Sequence, residues 1–281
     1  MPSQALAAGD RSFLKWAGGK TRYAATIAAL APPFDGTYWE PFMGSAAVFF
    51  EVSPERAVLS DANEELVICF QEVARDPNAV MALLDRMTNT REYFEIVRRR
   101  DPRTLTTAER AARVIYLNKT GFRGLWRVNK RGQFNVPYGA YDRPYYNQQR
   151  LLGASTALRS ATVRHADYTD ALAEAQPGDW VYLDPPYVPL GGYSDFKRYT
   201  AGQFHENDHL RLADAMRSAS DRGVYVMLTN ADTPEVRAMY DGFGMAHLPT
   251  RRDINLKASA RASADLIVTN YDEFRQAQLA I

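Results

Sequence analysis

The apolar run Trp180-Val181-Tyr182-Leu183 stops at Asp184-Pro185-Pro186-Tyr187. Two successive prolines remove two N–H donors and fix φ, so a strand ladder cannot continue through them. The run is expected to be a buried strand that enters a stiff turn. That corner offers carbonyls, a carboxylate and an aromatic ring, and no backbone donor from either proline. In open α/β sheets, ligands bind at the carboxyl ends of strands. An acceptor-only cluster beside an aromatic platform suits the exocyclic amine of a flat ring. Taken alone, the same four residues are also compatible with a plain turn.

Other short apolar runs repeat the pattern. Residues 37–42 lead into a helical stretch at 45–52, and 56–60 lead through Asp61 into 63–74. Runs at 161–166, 179–183 and 224–229 follow, the last after a helical stretch at 207–220, and 265–271 supplies a final strand. Strands alternating with helices predict a mostly parallel sheet covered on both faces. The middle of the chain differs. Residues 77–118 have a helical pattern, with Asp76-Pro77 and Thr107 near Glu109 as helix starts. Two β-prone runs, 125–129 and 133–136, then flank Lys130-Arg131-Gly132, which predicts a hairpin.

The formal net charge of +1 conceals an uneven distribution. Residues 91–164 contain 16 Lys and Arg against 5 Asp and Glu, whereas the rest contains 18 against 28. A basic segment on an acidic body suggests a polyanion partner. The single cysteine, Cys69, excludes an intramolecular disulfide and any zinc-type ligand spacing, so no metal is expected. Residues 1–10 lack the pattern of a signal peptide and no run is long enough to span a membrane. A cytoplasmic location is the resulting expectation.

Two segments in the first quarter suggest a nucleoside-containing cofactor. Glu40-Pro41-Phe42-Met43-Gly44-Ser45 places a small-residue turn between strand and helix, where Gly44 admits close approach of a ligand. Asp61 ends the next strand, 21 residues after Glu40, an offset suited to hydrogen-bonding ribose hydroxyls. Asp61 is equally placed to cap the following helix. Upstream, Lys15-Trp16-Ala17-Gly18-Gly19-Lys20 combines a ring, a Gly pair and a Lys in one loop.

Five segments taken together carry a resemblance that covers nearly the whole chain: Lys15 to Lys20, Glu40 to Gly44, Ser60-Asp61-Ala62-Asn63, Gly121-Phe122 through Phe134-Asn135-Val136-Pro137-Tyr138-Gly139, and Asp184 to Tyr187. Arg252-Asp253-Ile254-Asn255 and Val268-Thr269-Asn270-Tyr271 extend it to the tail. In these the chain resembles the Dam-type DNA adenine-N6 methyltransferases of the D12 class, alpha group. The resemblance implies a Rossmann-like α/β methyltransferase with a mostly parallel seven-stranded sheet. It divides the chain into a catalytic domain, 1–66 with 145–281, and an inserted helical and β-hairpin target-recognition domain, 67–144. It implies S-adenosyl-L-methionine as donor, held by Trp16, Lys20, Glu40, Phe42, Gly44, Asp61, Asp167, Tyr168 and Asp184. Monomeric action on double-stranded DNA is implied as well, in a setting that accommodates a cognate restriction endonuclease. The chain departs from the family at Ala46, where a second glycine is frequent, at Arg123, where an Asn is frequent, and at Trp126.

On this reading Asp184 and the Pro185 carbonyl accept the two hydrogens of the adenine amine, Pro186 stiffens the corner, and Tyr187 stacks on the base. A base inside a duplex cannot reach such a pocket, so the adenine is flipped out. Phe122 would wedge into the stack, although it is also eligible for plain core. Arg123, Arg127 and Asn129 face the DNA, the two arginines reading base edges, and Lys119, Lys130 and Arg131 contact phosphates. A GATC-like site is the expected target. The glycine-bearing stretch 188–203 is either a flap or a tether. Two alternatives remain at this point: a methyltransferase acting on RNA or a protein amide, and a catalytically silent DNA-binding regulator.

Overall fold

The computed structural model describes residues 12–187, 204–248 and 265–271. A seven-stranded sheet runs in the order β3-β2-β1-β4-β5-β7-β6. Its strands are β1 (Tyr38–Glu40), β2 (Ala57–Asp61), β3 (Ala161–His165), β4 (Trp180–Leu183), β5 (Tyr225–Ala231), β6 (Gly244–His247) and β7 (Asp265–Thr269). The first five are mutually parallel; β7 is antiparallel to both neighbours. This is the mostly parallel Rossmann-like methyltransferase sheet expected from the sequence. Reversal of β7 brings its first residue, Asp265, opposite Ala231, so that residue shares an edge with the carboxyl ends of β1 to β5.

Strand alternation feeds a core on each face of the sheet. In β4, Trp180 and Tyr182 enter one cluster while Val181 and Leu183 enter the other. Successive side chains of a strand point to opposite faces, so four apolar residues in a row require cover on both. One face is covered by α1 (Ala24–Ala29), α2 (Ala47–Val52) and α3 (Glu64–Arg75), the other by α8 (Tyr168–Glu174), α9 (Glu206–Asp221) and α10 (Pro234–Met239).

Between α3 and α7 (Gln148–Leu158) stand α4 (Pro77–Leu84), α5 (Arg91–Arg99) and α6 (Thr107–Thr120). Their starts follow the side chains: Asp76 caps α4 with Pro77 at its first position, and Thr106 with Glu109 forms a reciprocal capping box on α6. Helix α6 packs along α3, and its Val114 and Leu117 share one cluster with sheet residues Tyr38 and Leu59. The junction expected at residue 67 falls inside α3, so helix and core run continuously across it.

The stretch 125–136 forms an abbreviated hairpin. Val128 pairs with Phe134 and Gly121 with Tyr138 as isolated antiparallel bridges, while the Asn129 side chain accepts the turn N–H groups of Arg131 and Gln133. Strand β6 was not expected. Its sequence, Gly-Met-Ala-His, has no β-branched residue, and it is held by pairing to β7. Residues 188–203 and the tail motif 252–255 lie outside the described residues.

Candidate active site

The carboxyl edge of the sheet gathers the residues selected from the sequence. Asp184, the first residue after β4, is the most constrained of them. Lys20 Nζ donates to Asp184 Oδ1 at 2.7 Å and Oδ2 at 2.9 Å, and Thr229 Oγ1 donates to Oδ1 at 2.8 Å. Burial pushes the Asp184 carboxyl above its ordinary range, against the opposing pull of Lys20 and Thr229. Lys20 is itself buried and anchored on the Gly18 carbonyl at 3.0 Å. A carboxylate has about four acceptor positions. Three hydrogen bonds from two donor groups therefore leave one, and Oδ2, with a single partner among the described residues, is the oxygen that retains it.

Tyr187 completes the corner. Its hydroxyl donates to Asp265 Oδ2 at 2.9 Å, and Lys20 Nζ lies 4.7 Å from its ring centroid. Burial, together with the nearby Asp184 and Asp265 carboxylates, raises its phenol above the usual value, so it remains a neutral ring. The Lys20–Asp184 pair joins residues 164 apart in the chain. The loop assigned to the cofactor from the sequence thus also holds the carboxylate at the end of β4.

Asp61 ends β2. It accepts the Gly44 N–H through Oδ2 at 3.2 Å and the Asn63 N–H through Oδ1 at 2.9 Å. Burial pushes its carboxyl up to about 6. The cap of α3 is Asn63, whose side chain accepts from the Leu66 N–H, so the capping role considered for Asp61 falls two residues further on. Gly44 adopts φ +45°, and a Cβ there would lie 2.7 Å from Trp16 Cδ1. Ala46, at the family's second glycine, has φ +51° and is fully buried. An L-residue in that region costs about 1–2 kcal/mol.

Glu40 turns inward. It accepts from Tyr38 Oη at 2.7 Å and from the Phe49 N–H at 3.0 Å, and burial raises its carboxyl to about 8. It is therefore largely a neutral acid below that pH. Phe42 lies nearly parallel to Tyr168, centroids 5.3 Å apart, with Phe204 edge-on at 5.8 Å. Asp167, beside Tyr168, is exposed and caps α8 through the Thr169 N–H. Together these form an aromatic platform with one carboxylate at the ends of β1 and β3.

The residues expected from the sequence to meet DNA form a separate group. Phe122 is 44% exposed, which removes it from the core. Arg123 has φ +57° and its guanidinium lies 5.2 Å from the Phe122 ring. Arg127 donates to Asn135 Oδ1 at 2.8 Å, which orients its guanidinium. Lys130 and Arg131 are exposed on the hairpin turn, Asn129 shapes that turn, and Lys119 sits in the last turn of α6.

Four contributors were given no role from the sequence. Thr229 sits on β5 beside β4, and its place near a strand's carboxyl end was the available signal. Asp265 braces Tyr187. Asn118, fully buried, accepts the Lys15 N–H at 2.9 Å and donates to the carbonyls of Lys15 at 2.6 Å and Gly124 at 3.0 Å. Trp126 lies nearly parallel to Trp16, centroids 6.2 Å apart. The last two join the cofactor loop to the hairpin.

Comparison with known proteins shows the family. The family profile described as D12 class N6 adenine-specific DNA methyltransferase matches residues 16–254. A type II methyltransferase of Lactococcus lactis subsp. cremoris is 37% identical, the match covering 93% of this chain and 95% of that protein. DNA adenine methylases of Vibrio cholerae, 33% identical over 91% and 94% of the two chains, and of Escherichia coli, 30% over 93% and 95%, are similar along their length. With an adenine-suited corner at the end of β4 and a family match across most of its length, the chain belongs to the D12 class of N6 adenine-specific DNA methyltransferases.

Proposed function

We propose that the protein transfers a methyl group from S-adenosyl-L-methionine to the N6 amine of an adenine flipped out of a short duplex site, with GATC as the target sequence. The single observation that carries this reading is the Asp184 carboxylate, held by Lys20 and Thr229 with one Oδ2 acceptor position to spare beside the braced Tyr187 ring.

The residues present fit the donor. Asp61 offers ribose hydroxyls a carboxylate fixed by two backbone N–H groups, and Asn63 Nδ2 beside it is buried without a partner. Gly44 leaves no room for a Cβ, Trp16 flanks it, and the Phe42–Tyr168 platform with Asp167 suits an adenine ring. Glu40 closes the methionine end from within. When bound, the donor supplies an electrophilic methyl on a sulfonium.

The chain's own residues prepare the acceptor. An adenine amine is a poor nucleophile because its lone pair is delocalised into the ring. Asp184 Oδ2 and the Pro185 carbonyl accept its two hydrogens and so localise that pair. Tyr187 stacks on the base, a contact of about 1–3 kcal/mol. After transfer, the surplus amine proton passes to Asp184, whose burial-raised basicity suits it to receive one. In the 67–144 stretch, Phe122 fills the gap left by the flipped base, Arg123 and Arg127 read base edges with Asn129 shaping their turn, and Lys119, Lys130 and Arg131 hold phosphates.

The test is incubation of the purified protein with labelled donor and plasmid, followed by sequencing that reports modified base and context. N6-methyladenine at one recurring short motif is expected. Label in RNA or protein and none in duplex adenine would overturn the proposal, and no transfer with intact DNA binding would leave the silent-regulator reading.

A further inference from the structure

Beside the recognition hairpin lies a cavity of about 310 Å³. Lys15, Lys119, Arg143 and Arg150 all line it, and its described lining includes no Asp or Glu. These four cations come from separate stretches: the loop before Lys20, the end of α6, the connection after the hairpin and the first turn of α7. Burial first, and then Lys15, Arg150 and Arg143, push the Lys119 ammonium down to about 8. Like charges gathered this way favour an anion among them.

Three features fix the arrangement. The Tyr141 ring has Lys15 Nζ at 5.8 Å and the Arg143 guanidinium at 4.6 Å from its centroid, cation–π contacts that hold two walls together. Its hydroxyl accepts the Arg123 N–H at 2.6 Å, which connects the cavity to the hairpin. The N-terminus of the 11-residue helix α7 opens at the same place, with Asn147 as its cap. The positive end of the helix dipole reinforces the field there.

We propose that this cavity is a phosphate-binding site. It takes a single phosphate group, either from the backbone of a DNA strand passing the hairpin or from a free phosphate anion. The DNA source rests on the function proposed above; the site itself does not.

The test uses the full chain and the double variant Arg143→Gln/Arg150→Gln, both positions exposed and outside the catalytic corner. In the first arm, thermal unfolding is followed in inorganic phosphate and in chloride at matched ionic strength. Wild type should unfold several degrees higher in phosphate, and the variant should lose that difference. In the second arm, affinity for duplexes of several sequences is measured against salt. A backbone phosphate in the cavity predicts a slope of log affinity on log salt that is shallower by about 1 in the variant, equally for every sequence. A reduced slope assigns the phosphate to DNA, and a lost phosphate effect with unchanged slope assigns it to a free anion. If neither changes, the proposal is overturned. Wild type that responds to phosphate but binds no duplex would overturn the DNA reading and leave the site standing.

Discussion

At the end of β4, one carboxylate accepts three hydrogen bonds from two side chains and the neighbouring tyrosine is tied at its hydroxyl. Between Gly121 and Tyr138 the chain is paired by two isolated bridges, Arg123 adopts a left-handed conformation and Phe122 stands 44% exposed. On the function proposed above, the two regions make different physical demands. Chemistry at a weak nucleophile needs acceptors fixed before the substrate arrives, because reorganisation at the moment of reaction raises the barrier. Reading a duplex needs side chains that reach outward, and local order is spent to allow it. Asn118 and the Trp16–Trp126 pair are the points where the rigid region holds the exposed one.

The sharpest way to break this contrast is Asp184→Ala. Methyl transfer should fall on the order of 10³-fold, as for loss of a preorganised polar group in an active site. Duplex affinity should stay within a few-fold, measured by titration in parallel. Transfer retained at wild-type rate would remove Asp184 from the chemistry.

Arg127→Ala acts on the other side. Discrimination between cognate and altered duplexes should drop by about 1–3 kcal/mol. An equal loss on every sequence would instead make Arg127 a phosphate contact. Its bond to Asn135 makes the first outcome the expected one, since a guanidinium oriented by a partner suits base-edge geometry.

Thr229→Val removes one donor from Asp184 with little change of shape. A net hydrogen bond to a charged group contributes about 1.5–3 kcal/mol, so kcat should fall roughly tenfold or more while duplex affinity stays put. An unchanged kcat would mean that Lys20 alone suffices to hold the carboxylate.

Glu40 supplies a stability test of the rigid region. Its folded-state value of about 8 lies above the ordinary 4.5. A raised carboxyl stabilises the fold fully below the unfolded value, and that contribution is lost as pH climbs to about 8. Wild-type Tm should therefore decline between pH 5 and 8 more steeply than that of Glu40→Gln. Parallel slopes would show that Glu40 does not titrate with folding. Asp61, raised to about 6, contributes in the same direction and is untouched by the variant.

Much of this molecule was legible in one dimension. Short apolar runs at 37–42, at 56–60 before Asp61 and at 179–183 before Asp184 marked strands, and in the last two the polar residue after a buried run marked the carboxyl end as well, because it both stops the strand and faces the ligand edge. The Lys130-Arg131-Gly132 turn marked the hairpin, and the basic bias of 91–164 pointed to a polyanion. Strand β6 was not legible, since Gly244–His247 has neither alternation nor β-branching and owes its form to pairing with β7. The helix expected at 63–74 is α3, and the domain junction expected at residue 67 lies within it, because a helix that serves two neighbours shows no break in its own pattern.

What the sequence by itself determined is therefore most of the elements, β6 excepted, their polarity and the chemistry carried at each end, all of which follow from local sterics and hydrophobic periodicity. The tertiary structure alone decided the partnerships. Lys20 reaches Asp184 across 164 residues, Thr229 reaches it across 45, and Lys15 meets Asn118 across 103. Such contacts have no local signature, because they depend on which strands become neighbours, and the packing of a whole sheet sets that order.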